Sequence, residues 1–299
     1  MKALLSRWRT RGSAPRTEAR IDDEVAAAVD LTVALYTDVG PVREHNEDCI
    51  AALNAPWPGR PGDRTSLVAL ADGMGGHLAG ELASRLAIEA AMQTYGQLGG
   101  ATADRLQAAL AAANRAVYER ACGDAAAEGM GTTLVLFAPS DSVAHYAWVG
   151  DSRLYLERDG ELNCLTQDDT LVHGLLSRGL IGADEIAGHP DQSVLTQAVG
   201  THEAIPAPHV LGPIALRPGD RFLLCSDGIH DVVEDAQLNA VLRTTTTPDA
   251  AMQQILALAL RNGANDNLSI GVIDVAIAAD AAMAAQTTRR TRPGLEVLP

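Results

Sequence analysis

Seven short runs of apolar and β-branched residues, each bounded by Gly, Asp or Pro, predict β-strands along the chain. Ala and Leu recur at helical spacing in four further segments, which predicts helices. The predicted strands are 31–37, 66–72, 132–138, 142–149, 153–158, 221–227 and 267–275, and the predicted helices are 80–95, 103–122, 234–243 and 249–262. The three strands between 132 and 158 follow one another through short turns. We therefore expect them to pair antiparallel, which argues against a doubly wound nucleotide-binding fold.

The two ends of the chain lack this pattern. Residues 1–28 are basic and then Ala-rich, without a sustained apolar stripe, and predict a mobile N-terminal arm. Residues 279–299 show no periodicity and predict a disordered C-terminal tail. Residues 29–278 contain no Pro/Ser-rich linker, so we expect one compact domain between the ends.

Composition narrows the classes of function. The 299 residues are 47% hydrophobic and 20% charged, which is typical of a folded protein with a substantial core. Aromatic residues make up 3% and the net charge is -15, so nucleic acid is not an expected partner. Six of the 23 basic residues lie in the first 20 positions beside a single acidic residue, which leaves the remainder of the chain more acidic still. Clustered carboxylates favour divalent cations.

The spacing of the cysteines and the length of the apolar runs indicate the cellular compartment that we expect for the protein. The four cysteines lie far apart with no C-x-x-C pair, which predicts neither a zinc ribbon nor a disulfide framework and favours a reducing cytoplasm. No apolar run approaches the length of a membrane span, and the apolar stretch near the start is too short for a signal peptide.

Four aspartates fall at the edges of predicted strands. Asp72, Asp227 and Asp266 each stand at the boundary of an apolar strand, and Asp151 lies between two strands. Taken singly, each is explained as a turn residue, because Asp-Gly is a common turn dipeptide. A carboxylate beside buried strands is costly unless it is paired or binds a cation, so the four together indicate a site.

A fifth segment places an arginine near acidic residues just after the first strand. Arg43 is followed by Glu47 and Asp48 in GPVREHNEDCIAA. A guanidinium donates two hydrogen bonds to two phosphate oxygens, so Arg43 is a candidate phosphate-binding residue. The alternative is a solvated surface arginine.

Six motifs in order make the chain resemble the metal-dependent protein phosphatases of type 2C, in their compact bacterial form. The motifs are R-x-x-x-E-D at 43–48, ADGMGGHLAGE at 71–81, GTTL at 131–134, VGDSRLY at 149–155, SDGI at 226–229 and NDNLSI at 265–270. The resemblance covers residues 31–275 and implies an α+β fold, a four-layer α-β-β-α sandwich of two antiparallel sheets flanked by helix pairs. The metal site would lie at one end of the sheets.

The resemblance also implies roles for individual residues. Asp72 would bridge two metals, the Gly73 carbonyl would complete the first site, and Asp227 and Asp266 would hold the second. Asp151 would bind a weaker third ion together with Asp227. Three further roles are implied in the same way: Glu47 would act through water, Asp48 and Asn267 would support the ligands, and Arg43 would bind the substrate phosphate. Oxygen ligands without a histidine cluster favour Mn²⁺ or Mg²⁺ over Zn²⁺.

Two segments depart from the family pattern. Met74 stands where eukaryotic relatives have a histidine proposed as general acid, and the nearest histidine is His77, which we treat as a possible general acid. The segment 165–190 corresponds to the variable flap and the residues after it. Family members often have His at the position of Asp169, and we expect Asp168, Asp169 and His173 to form a solvated helix start.

The expected function is hydrolysis of phosphoserine and phosphothreonine monoesters by direct attack of a water bridging two metal ions. The expected protein is a cytoplasmic monomer without a membrane span that acts on phosphoproteins and opposes a serine/threonine kinase. A pseudophosphatase would lack some of the site residues, and none is missing. A nuclease or phosphodiesterase is disfavoured by the acidic charge and scarce aromatics.

Overall fold

The computed structural model describes residues 29–56, 63–75, 78–186, 188–278 and 296–298. The strands are β1 (Val29–Asp38), β2 (Asp48–Pro56), β3 (Asp63–Met74), β4 (Gly131–Thr132), β5 (Leu134–Ser140), β6 (Val143–Val149), β7 (Arg153–Arg158), β8 (Glu161–Cys164), β9 (His209–Ala215), β10 (Arg221–Cys225), β11 (Leu268–Ile277) and β12 (Glu296–Leu298). The α-helices are α1 (Leu78–Gln97), α2 (Thr102–Gly123), α3 (Leu171–Ser177), α4 (Asp227–His230), α5 (Asp235–Thr244) and α6 (Pro248–Arg261).

The strands form two antiparallel sheets. One sheet has the order β1-β11-β10-β7-β8, and the other has the order β12-β2-β3-β5-β6-β9, with β4 paired to β3. All the paired neighbours run antiparallel. The expected α+β class and its two antiparallel sheets are confirmed.

Apolar side chains fill three layers of core between the helices and sheets. Helices α1 and α2 cover the β2-β3-β5-β6 sheet, the two sheets pack face to face, and α4, α5 and α6 cover the other sheet. In β3, Val68 and Leu70 face the second sheet, whereas Leu67, Ala69 and Ala71 face the helices. Strands buried on both faces have continuous apolar sequences, which is why they were recognisable.

The turn between β6 and β7 differs from the expectation. Strands β5 and β6 pair antiparallel as predicted, but β7 pairs with β8 and β10 in the other sheet. The prediction that three consecutive strands share a sheet is therefore wrong at its last step. Gly150 has a φ of 101°, and a Cβ there would lie 2.7 Å from Thr133 Cγ2, so only glycine fits this tight passage between the sheets.

Several short elements were not predicted. Strands β8 and β9 carry mostly exposed or half-buried residues, and β9 includes Gly212 and Pro213, so neither shows an apolar run. Within the predicted C-terminal tail, β12 pairs with β2, and the rest of 279–299 lies outside the described residues, as does the arm 1–28. None of the described helices has both the length and the hydropathy that crossing a membrane requires.

Candidate active site

The two sheets end together at a cleft of about 700 Å³. The cleft is lined by residues from the end of β3, the β6–β7 turn, the start of α4 and the segment before β11. Most of the predicted site residues line it, namely Arg43, Glu47, Asp72, Gly73, Asp151, Asp227, Asp266 and Asn267. Residues far apart in sequence therefore meet at one edge of the sandwich, as the strand-end pattern indicated.

Backbone hydrogen bonds hold Asp72 in place. Its N–H donates to Thr133 Oγ1 at 2.9 Å, and its carbonyl oxygen accepts from Thr133 N and from Thr132 Oγ1, both at 2.8 Å. Thr133 Oγ1 also lies 2.7 Å from Ser152 Oγ in the β6–β7 turn. These bonds do not occupy the Asp72 carboxylate, and they tie β3 to the turn that carries Asp151.

Glycines allow Glu47 to approach the end of β3 closely. Gly73 N donates to the Glu47 carbonyl oxygen at 3.0 Å, and a Cβ on Gly73 would overlap the Gly80 carbonyl oxygen. A Cβ on Gly80 would lie 2.6 Å from Glu47 Oε2. The Glu47 carboxylate thus packs against the start of α1 at the cleft, a position that any larger residue at 80 would displace.

Arg43 lies at the lip of the cleft beside Asp266. Its Nη2 donates to Asp266 Oδ2 at 2.6 Å, and their side chains are 50% and 28% exposed. Asn267 fixes the segment that carries Arg43: its Nδ2 donates to the Val39 and His45 carbonyl oxygens, and its Oδ1 accepts from Glu47 N at 2.8 Å. The exposed guanidinium is therefore held over the carboxylates.

Asp48 lies directly below the cleft and does not line it. It is buried, is paired in register with Asp72 across β2 and β3, and accepts from Ser226 Oγ at 2.8 Å. Ser226 Oγ accepts from Ser269 N at 3.2 Å, which links α4 to β11. These hydroxyl groups, with Thr133 and Ser152, were missed as site residues, although each lies inside a motif used for the resemblance.

Buried negative charge dominates the electrostatics of the cleft. Burial and the neighbouring carboxylates, Asp48 and Asp227 foremost, raise the pKa of Asp72 well above its ordinary value. Burial followed by repulsion from Asp227 raises the pKa of Asp151 to about 7. Burial also raises the pKa of Asp227. Carboxylates gathered without enough nearby positive charge favour a proton or a metal cation.

The donor set suits a hard divalent ion, because carboxylates outnumber the other charged groups among the described residues that line the cleft, and His45 is the one histidine among them. Within the part of the chain that the structure describes, no three acidic, imidazole or thiol groups already stand in an arrangement that could hold one ion. One Asp266 oxygen is engaged by Arg43.

A family model described as Protein phosphatase 2C matches residues 46–261. The chain belongs to the protein phosphatase 2C family. Serine/threonine protein phosphatase PstP of Mycobacterium tuberculosis is 40% identical over 246 residues, which are 82% of this chain and 45% of PstP. Protein phosphatase PhpP of Streptococcus pneumoniae is 31% identical over 249 residues, 82% of this chain and 98% of PhpP.

A crystal structure of the PstP catalytic domain in complex with two manganese ions matches the fold of the present chain with a TM-score of 0.70. Identity is 37%, over 83% of this chain and 99% of that chain. The chain spans about half the length of full PstP and nearly all of PhpP. The resemblance drawn from six motifs is therefore confirmed at the level of family and fold.

Asp168 and Asp169, which were expected at a solvated helix start, are both largely shielded from solvent. Asp168 is buried and accepts from Arg153 Nε at 3.0 Å and from Nη2 at 2.7 Å, and the Asp169 side chain is only 12% exposed. His173 Nδ1 lies 3.0 Å from Thr170 Oγ1, the cap of α3. The expectation of a solvated helix start is wrong for both aspartates, because their partners come from other elements. His77 lies outside the described residues.

Proposed function

We propose that this chain is a metal-dependent phosphatase that hydrolyses phosphoserine and phosphothreonine monoesters on proteins. The observation that carries the proposal is the convergence of Arg43 with Asp72, Asp151, Asp227 and Asp266 in one cleft of a protein phosphatase 2C domain. The similarity to PstP, a serine/threonine protein phosphatase, and to PhpP, a protein phosphatase, supports this reaction and substrate class.

The residues proposed to hold metal fit a cation for a physical reason. Asp72 and Asp227 are half-buried and repel the neighbouring carboxylates, so a divalent ion would remove an electrostatic cost that their protonation otherwise relieves. Asp72 and Asp227, with Asp266 and the Gly73 carbonyl, would hold two tightly bound Mn²⁺ or Mg²⁺ ions, and Asp151 a weaker third. When bound, the ions would supply an activated water and neutralise charge on the phosphate.

The chain's own groups would orient both partners of the reaction. Arg43 would donate two hydrogen bonds to phosphate oxygens from the lip of the cleft, after releasing the Asp266 oxygen it contacts. Glu47 is placed by Asn267 and by Gly80 where it would accept a hydrogen bond from water. Asp48 and Ser226 would fix β2 and α4 beneath these groups. The assignment of His77 as general acid stays a prediction.

The partner and the compartment belong to the same proposal. A phosphatase of this class would oppose a serine/threonine kinase and act as a cytoplasmic monomer. Burial raises the pKa of Cys49 to about 12 and raises that of Cys225, so both thiols stay protonated near neutral pH. A thiolate nucleophile is disfavoured at both positions for the same reason.

The deciding experiment follows phosphate release from a phosphothreonine peptide and from p-nitrophenyl phosphate with Mn²⁺, with Mg²⁺ and with EDTA. We expect release that needs either metal, stops in EDTA and persists after thiol alkylation. No release with either metal would contradict the proposal and favour a binding protein. Equal rates on a nucleic acid phosphodiester would instead favour a different metallohydrolase.

A further inference from the structure

Asp169 joins three parts of the structure through its backbone. Its N–H donates to the Gly150 carbonyl oxygen at 3.0 Å, and its own carbonyl oxygen accepts from Thr196 N at 2.7 Å and from Thr196 Oγ1 at 2.9 Å. Gly150 precedes Asp151 in the turn between the sheets. Asp169 and Thr196 flank residues 170–195, which overlap the variable segment 165–190 and which we call the flap from here on. One residue thus connects both ends of the flap to the Asp151 turn.

The Asp169 carboxylate strengthens the same connections. Oδ2 accepts from Gly150 N at 2.9 Å and from Gln197 Nε2 at 2.8 Å, and Oδ1 accepts from His209 Nε2 at 3.0 Å. The His209 ring stacks on Trp148 with centroids 4.2 Å apart. Hydrogen bonds to an ionised, largely buried carboxylate are stronger than neutral ones, so this cluster should hold its members rigidly.

The flap forms part of the wall of the cleft. Thr170 and Leu195 form an antiparallel bridge, and Leu171 N donates to the Val194 carbonyl oxygen at 2.8 Å, so the base of the flap is closed. Ser193 and Leu195 line the cleft beside Asp151. The position of this wall depends on where Asp169 holds the flap ends relative to the turn.

We propose that Asp169 is a positioning residue that sets the flap wall and the Asp151 turn relative to each other, and so favours extended protein substrates over small phosphate esters. A small ester needs only the carboxylates and Arg43, whereas a peptide chain entering the cleft also meets Ser193 and Leu195. The proposal rests on the proposed phosphatase function.

The kinetic test compares wild type with Asp169→Asn, which keeps the size of the side chain but cannot accept all three hydrogen bonds. We expect KM for a phosphothreonine peptide to rise roughly tenfold in the variant, and kcat for p-nitrophenyl phosphate at saturating Mn²⁺ to change by less than about threefold. His209→Gln retains a donor and should behave nearly as wild type, whereas His209→Ala should shift in the same direction as Asp169→Asn. Asp184→Asn, an exposed flap residue, is the matched control.

A second measurement does not depend on activity. Amide hydrogen exchange of the metal-free protein should quicken at Gly150 and Thr196 in Asp169→Asn and stay unchanged in Asp184→Asn. Equal losses of activity on both substrates would overturn the proposal, because Asp169 would then have a purely structural role. Unchanged exchange at these amides would also overturn it, because Asp169 would then not link the flap to the turn. If wild type hydrolyses neither substrate, the proposed function fails, and the exchange result alone then decides whether Asp169 links the flap to the turn.

Discussion

At the scale of single residues, the site is a set of carboxyl groups placed where each one destabilises the others. The half-buried Asp72 and Asp227 lie near the buried Asp48 and Asp151, and Arg43 at the lip is the one lysine or arginine among the described residues that line the cleft. Sites that bind cations commonly store such repulsion, because the ion offsets it when bound.

Asp72→Asn should therefore separate activity from stability. The change removes a carboxyl group whose pKa is raised well above its ordinary value and leaves the backbone hydrogen bonds to Thr133 and Thr132 intact. We expect phosphatase activity to fall by more than the roughly 10- to 100-fold that loss of a group supporting a metal ligand costs, and the Tm of the metal-free protein to stay level or rise. Activity within a few fold of wild type would remove Asp72 from the site.

Arg43 gives a prediction about substrate binding. Arg43→Ala should raise KM roughly tenfold and lower kcat by less, because the bidentate hydrogen bond from the guanidinium to phosphate is lost. Arg43→Lys should fall between the alanine variant and wild type, since an ammonium group lacks the planar fork. Steady-state kinetics with p-nitrophenyl phosphate measure both. A KM equal to that of wild type in Arg43→Ala would show that the guanidinium only pairs with Asp266.

The residues that could be predicted share one property, which is that their signal is local. Asp72, Asp227 and Asp266 each adjoin a recognisable apolar strand, so their convergence followed from strand ends meeting at one edge. Asp168 and Asp169 were misjudged because Arg153 and His209, which make them buried acceptors, lie 15 and 40 positions away. Nothing in the local sequence distinguishes such an aspartate from a solvated helix cap.

At the scale of elements, the same reasoning explains which strands were found. Strands buried on both faces, such as β3 and β10, carry unbroken apolar runs, 67–71 in β3 and 222–225 in β10, whereas the edge strand β9 alternates weakly and contains a proline. The passage of β6 into β7 across the sandwich was missed because a short turn ordinarily joins paired strands. That crossing places Asp151 between the sheets at the cleft.

Substitutions at Thr133 measure how much the passage from β6 to β7 depends on one hydroxyl group. Its Oγ1 receives the Asp72 N–H and contacts Ser152 Oγ, so Thr133→Val would leave buried polar groups of β3 and the turn without partners. We expect a loss of about 1–3 kcal/mol in the free energy of unfolding, with reduced phosphatase activity. Thr133→Ser keeps the hydroxyl and should lose far less. Denaturant unfolding measures the difference, and equal stability of the two variants would contradict the proposed linkage.

At the scale of the whole molecule, the four layers bring both sheets to one end, where the acidic cleft opens. The inter-sheet core consists mainly of aliphatic side chains, together with Tyr146, Trp148 and the pair Phe137 and Phe222, whose ring centroids lie 4.5 Å apart. This packing positions the carboxylates and excludes water from those beneath the cleft. Folding therefore carries an electrostatic cost that depends on pH and on metal.

Two carboxyl groups set the sign of this pH dependence. Burial raises the pKa of Asp48 to about 7 and that of Asp151 to about 7, from an ordinary value of 3.8. Between these values the native state holds protons that the unfolded chain releases, so the free energy of unfolding should fall as pH rises, by at most about 1.4 kcal/mol per pH unit for each group. Asp124 and Asp231, whose pKa values are lowered, titrate below this window.

Thermal unfolding at pH 5.5, 6.5 and 7.5 should therefore show a Tm that decreases with pH in EDTA. Because divalent ions bind the deprotonated carboxylates, saturating Mn²⁺ should raise Tm most at pH 7.5 and remove or reverse the decline. Asp48→Asn, which keeps an acceptor for Ser226, should flatten the slope in EDTA. A Tm that rises with pH in EDTA, or an Mn²⁺ effect independent of pH, would contradict the view that these buried carboxylates are protonated until metal binds.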